Sequence, residues 1–194
     1  MASDLSGLTI KDEHLRRALE GQEYLLVDGA MGTQMQERGL DALEAVPELL
    51  CKTHADDITA IHASYIAAGA EVITTNTFSA NRLKLGDKMS VEEAYRLAAD
   101  CARAAGAPYI AGDIGPTGSL LEPMGTLSFD EAYGIFAEQV RAAVAAGCDI
   151  ILIETMADLR EAKAALLAAR ENSTLPVFVT MTFGEDGRTF LGTT

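Results

Sequence analysis

Positive charge is scarce in this sequence. It carries 15 Lys plus Arg against 29 Asp plus Glu in 194 residues, a formal net charge of −14. A free nucleic-acid binder needs a basic surface to displace counterions from phosphates, so this balance excludes a nucleic-acid partner. It also excludes polybasic attachment to a membrane surface. Long apolar runs are absent: none approaches the roughly 18 residues of a membrane span. Residues 1–11 show no basic flank followed by an apolar stretch, so no secretory signal is expected. Cysteine is sparse. Cys51, Cys101 and Cys148 are odd in number, widely spaced and without a CxxC, so they form neither a disulfide framework nor a local metal knuckle. A reduced, cytoplasmic protein is the expectation, with Cys101 and Cys148 as buried, inert thiols. His54 and His62 stand eight residues apart, without metal-ligand spacing, and read as surface or packing residues.

What is present is the mix of a packed domain, with 48% hydrophobic and 23% charged residues. Five continuous apolar runs, at 25–28, 72–77, 109–113, 150–154 and 177–182, read as strands covered on both faces. Between them lie four amphipathic helices. Ile58, Ile61 and Tyr65 share one face of the first, over 56–68. Ala94, Leu97, Ala98, Cys101 and Ala105 mark the second, and Tyr133, Phe136, Ala137, Val140 and Val144 the third. Leu159, Ala162, Leu166 and Ala169 mark the fourth. Ser90 with Glu93 and Ser128 with Glu131 fit capping boxes, and Asp158 with Glu161 is a weaker version. Gly69, Gly106 and Gly147 sit where a left-handed helix end suits glycine.

The alternation of strands and helices predicts an α/β fold with parallel pairing. A doubly wound sheet and a (β/α)8 barrel both fit. Asp28, Asn76, Asp113, Glu154 and Thr182 fall at or near the ends of all five strands, which favours the barrel, whose site is assembled from every βα loop at one face. A complete barrel has eight strands and about 250 residues. The expectation is therefore a (β/α)8 TIM-barrel type truncated to about five strands and four helices, with residues 1–22 as an N-terminal extension containing a short helix.

Three strand-end segments could carry chemistry. Asp28-Gly-Ala-Met-Gly-Thr33 places two glycines where backbone amides can approach an anion, and equally makes a tight turn; it lacks the P-loop lysine and is not GxGxxG. Gly112-Asp-Ile-Gly-Pro-Thr-Gly118 is a stiff loop that could line a pocket or serve structure alone. In Ile151-Leu-Ile-Glu-Thr-Met156 a carboxylate ends a very apolar strand, which is costly unless it meets a cation or donors. Glu154 with Asp28 across a barrel mouth would favour a cationic group such as an α-amine. Met31 and Met156 could line the same pocket or fill core.

Together, Leu26-Val-Asp-Gly-Ala-Met-Gly-Thr-Gln34, Thr75-Asn-Thr-Phe-Ser-Ala-Asn81, Gly112-Asp-Ile-Gly-Pro-Thr-Gly118 and Leu152-Ile-Glu-Thr-Met156 resemble the homocysteine S-methyltransferases. The resemblance is nearest to the N-terminal homocysteine-binding domain of the cobalamin-dependent methionine synthases. It extends in order from about residue 23 onward and implies a (β/α)8 barrel with homocysteine at its mouth. It implies that Asp28 and Glu154 hold the α-ammonium and that amides around Gly29, Ala30, Met31, Gly32 and Thr33 take the carboxylate. Asn76, Thr77 and Asp113 would be further mouth residues. In that family a zinc ion on three cysteine thiolates activates the homocysteine sulfur. Its ligands come from later strands, including a Gly-Gly-Cys-Cys-type segment that this chain lacks. Cys51, Cys101 and Cys148 are not in those places, so no catalytic or metal residue is assigned. Cobalamin and methyltetrahydrofolate would act only through other domains. The expectation is a homocysteine-binding part of a methionine-forming methyltransferase, inactive alone. The alternatives are a catalytically inactive partial barrel that self-associates through open strand edges, and a thiol methyltransferase with another donor.

Overall fold

The computed structural model describes residues 5–40, 42, 44 and 46–194; the first four residues of the predicted N-terminal extension lie outside them. Among the described residues four strands form one parallel sheet: β1 (Val72–Thr74), β2 (Tyr109–Ile114), β3 (Ile150–Met156) and β4 (Val177–Met181). Val72 pairs with Tyr109, Ala111 with Ile150, and Ile151 with Val177. Each strand lies beside the one before it in the chain. A doubly wound sheet reverses its order at a switch point; this one does not, which is the barrel arrangement.

The expected first strand, 25–28, is reduced to one parallel bridge between Val27 and Val72. The reason is local. Val72 N–H donates to Leu26 O and Asp28 N–H to Val72 O, as in a ladder. The next bond would run from Thr74 N–H to the Asp28 carbonyl, but the Asp28 carboxylate takes that N–H at 3.0 Å. The side chain ends the ladder.

The described residues contain eight α-helices: α1 (Glu13–Leu19), α2 (Met31–Glu37), α3 (Leu50–Thr53), α4 (Ala55–Ala67), α5 (Arg82–Leu85), α6 (Val91–Ala104), α7 (Phe129–Ala145) and α8 (Leu159–Asn172), with a 3-10 turn at Pro47–Leu49. The long ones, α4, α6, α7 and α8, are the four predicted helices. Ser128 and Glu131 form the full capping box on α7. On α6, Ser90 accepts from Glu93 N–H, while the Glu93 carboxylate pairs with Lys52 instead. On α8, Asp158 caps through Arg160 N–H, and Glu161 turns inward to accept from Thr117. The buried face of α8 is mainly alanine, Ala162, Ala164, Ala165, Ala168 and Ala169, so Leu159 and Leu166 of the predicted stripe stay exposed, as does Val144 on α7.

The strand pleat sorts side chains into two cores. Ile73, Ile110, Ile114, Ile151 and Ile153 pack outward against Tyr95, Phe136, Val140 and Ala165 of the helices. Val72, Tyr109, Ala111 and Ile150 face inward and meet Leu15 of α1, which covers the amino ends of the strands. The inward positions at the opposite ends are polar, and there the cleft opens. No helix among the described residues is long and apolar enough to cross a membrane.

Candidate functional site

A cleft of about 530 Å³ lies over the carboxyl ends of the strands. Asp28, Asp113 and Glu154 form its floor; the Gly29–Gly32 turn, the Pro47–Glu48 turn and the loop after β1 form its walls. Asp113 and Glu154 meet because they continue the inward-facing series Tyr109, Ala111 on β2 and Ile150, Leu152 on β3. Among the described residues lining the cleft there is no Lys, Arg or His.

Each carboxyl group has a different environment. Asp28 accepts from Thr74 N–H and Thr74 Oγ1, both at 3.0 Å. Burial nevertheless pushes its pKa up to about 6, with the charge of Glu154 adding to the rise. Burial also raises Glu154, while its hydrogen-bonding contact with Asp113 opposes the rise. Asp113 is only 4% exposed, and Oδ1 has no conventional hydrogen-bond donor among the described residues. Burial drives its pKa well above the carboxylate range, and the charges of Glu154, Asp28 and Glu48 push it further. Glu48 is 2% exposed; its Oε1 accepts from Ser79 N–H at 2.6 Å and its Oε2 has no partner among the described residues. Burial raises Glu48 as well.

The end of β3 is bent to present Glu154. Ile153 pairs with Val179 and Met156 with Met181, so β3 carries one residue more than β4 across this interval. The bulge residue, Thr155, has φ 59°, and its N–H donates to Thr180 Oγ1 at 2.9 Å. A β-branched residue there stores about 1–3 kcal/mol of strain. The extra residue lets Glu154 and Thr155 both reach the cleft, while Met156 stays in the outer core.

The other predicted residues separate into liners and supports. Gly29, Ala30, Met31 and Gly32 line the cleft where the chain enters α2. A Cβ on Gly29 would come within 2.9 Å of the Tyr65 ring and hydroxyl, and Tyr65 OH donates to Ala30 O. Thr33 is exposed on α2, outside the lining. Asn76 lines the cleft, and its amide donates to Pro47 O, which ties the Glu48 turn down. Thr77 is fully buried beneath the floor. Asp113 N–H donates to Thr75 Oγ1, Thr75 and Thr77 share a hydroxyl bond, and Thr77 Oγ1 donates to Asp113 O, closing a ring around the Asp113 backbone. Tyr95 OH adds a second bond to Asp113 O at 2.7 Å. In the Gly112–Gly118 loop, a Cβ on Gly115 would lie 2.5 Å from Phe78 O, so this glycine is required by close packing of two loops.

The sequence reading missed Glu48 and Thr155. Glu48 sits in a short turn whose only sequence signal is Pro47 ahead of an acid. A one-residue bulge leaves no compositional trace.

The zinc of the resemblance does not fit these residues. The cleft lining holds no thiol or imidazole, and no group of three metal-binding side chains occurs among the described residues. All three cysteines are free and buried. Cys51 and Cys101 sit together in the cluster between α3 and α6, and burial lifts Cys148 to about 12. His62 is buried in α4 and held near pKa 4 by desolvation.

A family model described as homocysteine S-methyltransferase matches residues 25–194. The methionine synthase of Mycobacterium leprae (strain TN) is 32% identical over 192 residues, covering 88% of this chain and 16% of the relative. The methionine synthase of Mycobacterium tuberculosis (strain ATCC 25618 / H37Rv) is 32% identical over 210 residues, covering 95% and 18%. The chain thus spans less than a fifth of the length of these relatives. Among solved structures, the homocysteine methyltransferase MmuM from Escherichia coli in its oxidised form matches with a TM-score of 0.80 at 21% identity, over 94% of this chain and 70% of that one. Its metallated form matches at 0.73 and 24%, over 93% and 70%. This likeness shows a fold similar to the homocysteine methyltransferase TIM barrel. The chain belongs to the homocysteine S-methyltransferase family.

Proposed function

We propose that the cleft binds homocysteine as the amino-acid-holding part of a methionine-forming methyltransferase. The observation that carries this reading is a cleft whose floor and wall are carboxyl groups with no cation among the described lining residues. Such a site attracts an ammonium group. Asp28 and Glu154 hold the α-ammonium, and amides of the Gly29–Gly32 turn take the carboxylate. Met31 and Phe78 offer apolar surface to the sulfur-bearing chain. Asp113 completes the floor, Asn76 fixes the Glu48 wall, and Thr77 acts from below through the Asp113 backbone.

The role stops at holding the amino acid. The cleft offers zinc no thiolate, and neither zinc activation nor methylcobalamin is assigned a step on these residues. The chain alone is expected to bind L-homocysteine, to carry no stoichiometric zinc, and to form no methionine when methylcobalamin is added. Calorimetry with L-homocysteine, L-methionine and L-cysteine tests the reading; absence of homocysteine binding at neutral pH overturns it.

A second reading is favoured by the sheet edges. Among the described residues, β4 pairs only with β3, and 25–28 only with β1; Leu26, Val27, Phe178 and Val179 are exposed beside those edges. Unpaired edges with apolar neighbours invite association between copies. Light scattering decides: a defined oligomer supports self-association, and a monomer overturns it.

A further inference from the structure

We propose that Asp113 stands in the empty cleft as the protonated member of an acid–carboxylate pair with Glu154, and that the amino group of the bound amino acid replaces this proton. The inference rests on the ammonium assignment above and adds a proton to its stoichiometry.

Asp113 and Glu154 stand on paired neighbouring strands, on the same face of the sheet, and both line the cleft floor. Two ionised carboxylates side by side in a floor without a cation repel and have no hydrogen to share, and one proton between them relieves both. The backbone N–H of Ile114 favours ionised Asp113, but burial and the neighbouring acids outweigh it. Asp113 Oδ1 is buried without a conventional donor. Asp28 has the Thr74 N–H and hydroxyl to satisfy its negative charge; Asp113 has no such pair. The groups facing Asp113 are Glu154 from β3, Asp28 from the 25–28 segment, Glu48 from the 3-10 turn and Tyr95 from α6. Lys84 of α5 favours ionised Glu48 and is bonded to Ser79 Oγ and Pro116 O.

The backbone prevents Asp113 from turning away. Its N–H and C=O are held by Thr75, Thr77 and Tyr95, and Gln139 Nε2 holds the Tyr95 hydroxyl in turn. Behind it, a Cβ at Gly112 would lie 2.7 Å from Ala143 Cβ, so the strand is already seated against α7. The carboxyl group is fixed in the floor, and charge can be relieved only by a proton or by a cation.

The exchange balances simply. An ammonium ligand enters with its three N–H donors, the Asp113 O–H bond breaks, and the proton leaves to solvent. Asp113 thereby acts as a positioning residue: through the shared proton it holds Glu154 aimed at the ligand before binding. Asp113→Asn is the discriminating variant, because an amide N–H donates to Glu154 as the protonated acid does but has no proton to give up.

The test is calorimetry of L-homocysteine with the full chain at pH 7 in buffers of different ionisation enthalpy. About one proton released per ligand bound is expected for the natural chain, and release per ligand bound falls to near zero in Asp113→Asn, whatever the affinity of the variant. Binding without proton release, or unchanged release in the variant, overturns the inference. If homocysteine does not bind, the functional reading falls, and the ligand-free protein still decides this one. In a carboxyl 13C NMR titration, Glu154 should follow two steps in the natural chain and one in Asp113→Asn. A single step for Glu154 in the natural chain overturns the pairing, whether or not the variant folds.

Discussion

The two ends of the sheet treat their acids in opposite ways. At the amino ends, Asp149 pairs with Lys11 at 3.0 Å, Glu23 with His14 and Arg17, and Glu71 with His14. Asp12 caps α1 through Leu15 N–H and accepts from Tyr109 OH. At the carboxyl ends, Asp28, Glu48, Asp113 and Glu154 share one cleft, and none of them forms an ion pair among the described residues. The first end uses charge to fasten α1 under the sheet. The second holds charge uncompensated, which costs stability and leaves a place for a cation.

The contrast can be broken from either end. Glu154→Gln should have the largest effect, a loss of roughly 100- to 1000-fold in homocysteine affinity, as expected for removing one partner of an enclosed charge contact. Thermal stability should not fall; a lower midpoint would mean that Glu154 serves the fold. Asp28→Asn comes next. Its amide can keep both Thr74 contacts while removing the charge. The folded pKa of about 6 exceeds the ordinary 3.8, so the folded state holds extra protons between these values. Stability from this group is present below the lower value and lost as pH rises through the upper one. The variant should therefore be more stable at pH 7 by up to about 3 kcal/mol. That gain should vanish near pH 4, as urea unfolding at the two pH values would show.

At the other end the same kind of change should only weaken. Asp12→Ala removes a helix cap and the Tyr109 contact, an expected loss of about 2 kcal/mol, with homocysteine binding unchanged by calorimetry. The smallest effect is at His14, whose pKa is raised by its hydrogen bonds to Glu23 and Glu71. A raised histidine contributes fully below its unfolded value, about 6.5, and loses that contribution as pH rises through the folded one. His14→Gln should flatten the urea midpoint against pH above this value and leave the Asp28 window below it untouched. Identical pH profiles in the two proteins would remove His14 from the comparison.

Much of this architecture was legible from the chain. The apolar runs placed β1 to β4, and the helical spacing placed α4, α6, α7 and α8. Of the polar residues at the strand ends, Asp28, Asn76, Asp113 and Glu154 line one cleft, while Thr182 lies past the end of β4 and outside its lining. What escaped the sequence was set by tertiary contact. The 25–28 strand shrank to a bridge because the Asp28 side chain displaced its own carbonyl from the ladder. Glu48 became a buried wall of the cleft through Ser79 N–H, a partner from another loop. Leu159 and Leu166 were assigned inward by periodicity, but the alanines of α8 form its buried face. Asp28, Asp113 and Glu154 were visible as strand-end acids. The proton between two of them required knowing that their side chains converge on one floor.

The order of the strands bears on how the chain is made. Every long-range pairing in the sheet joins a strand to the one synthesised just before it. A nascent chain can therefore lay each strand and helix onto a template already outside the ribosome, without waiting for a distant C-terminal segment. No strand has to be threaded between two that are already paired. During synthesis of this sheet the edge formed last is the surface that receives the next strand, and it is also where a stalled or partly made chain would expose paired-strand templates to its neighbours.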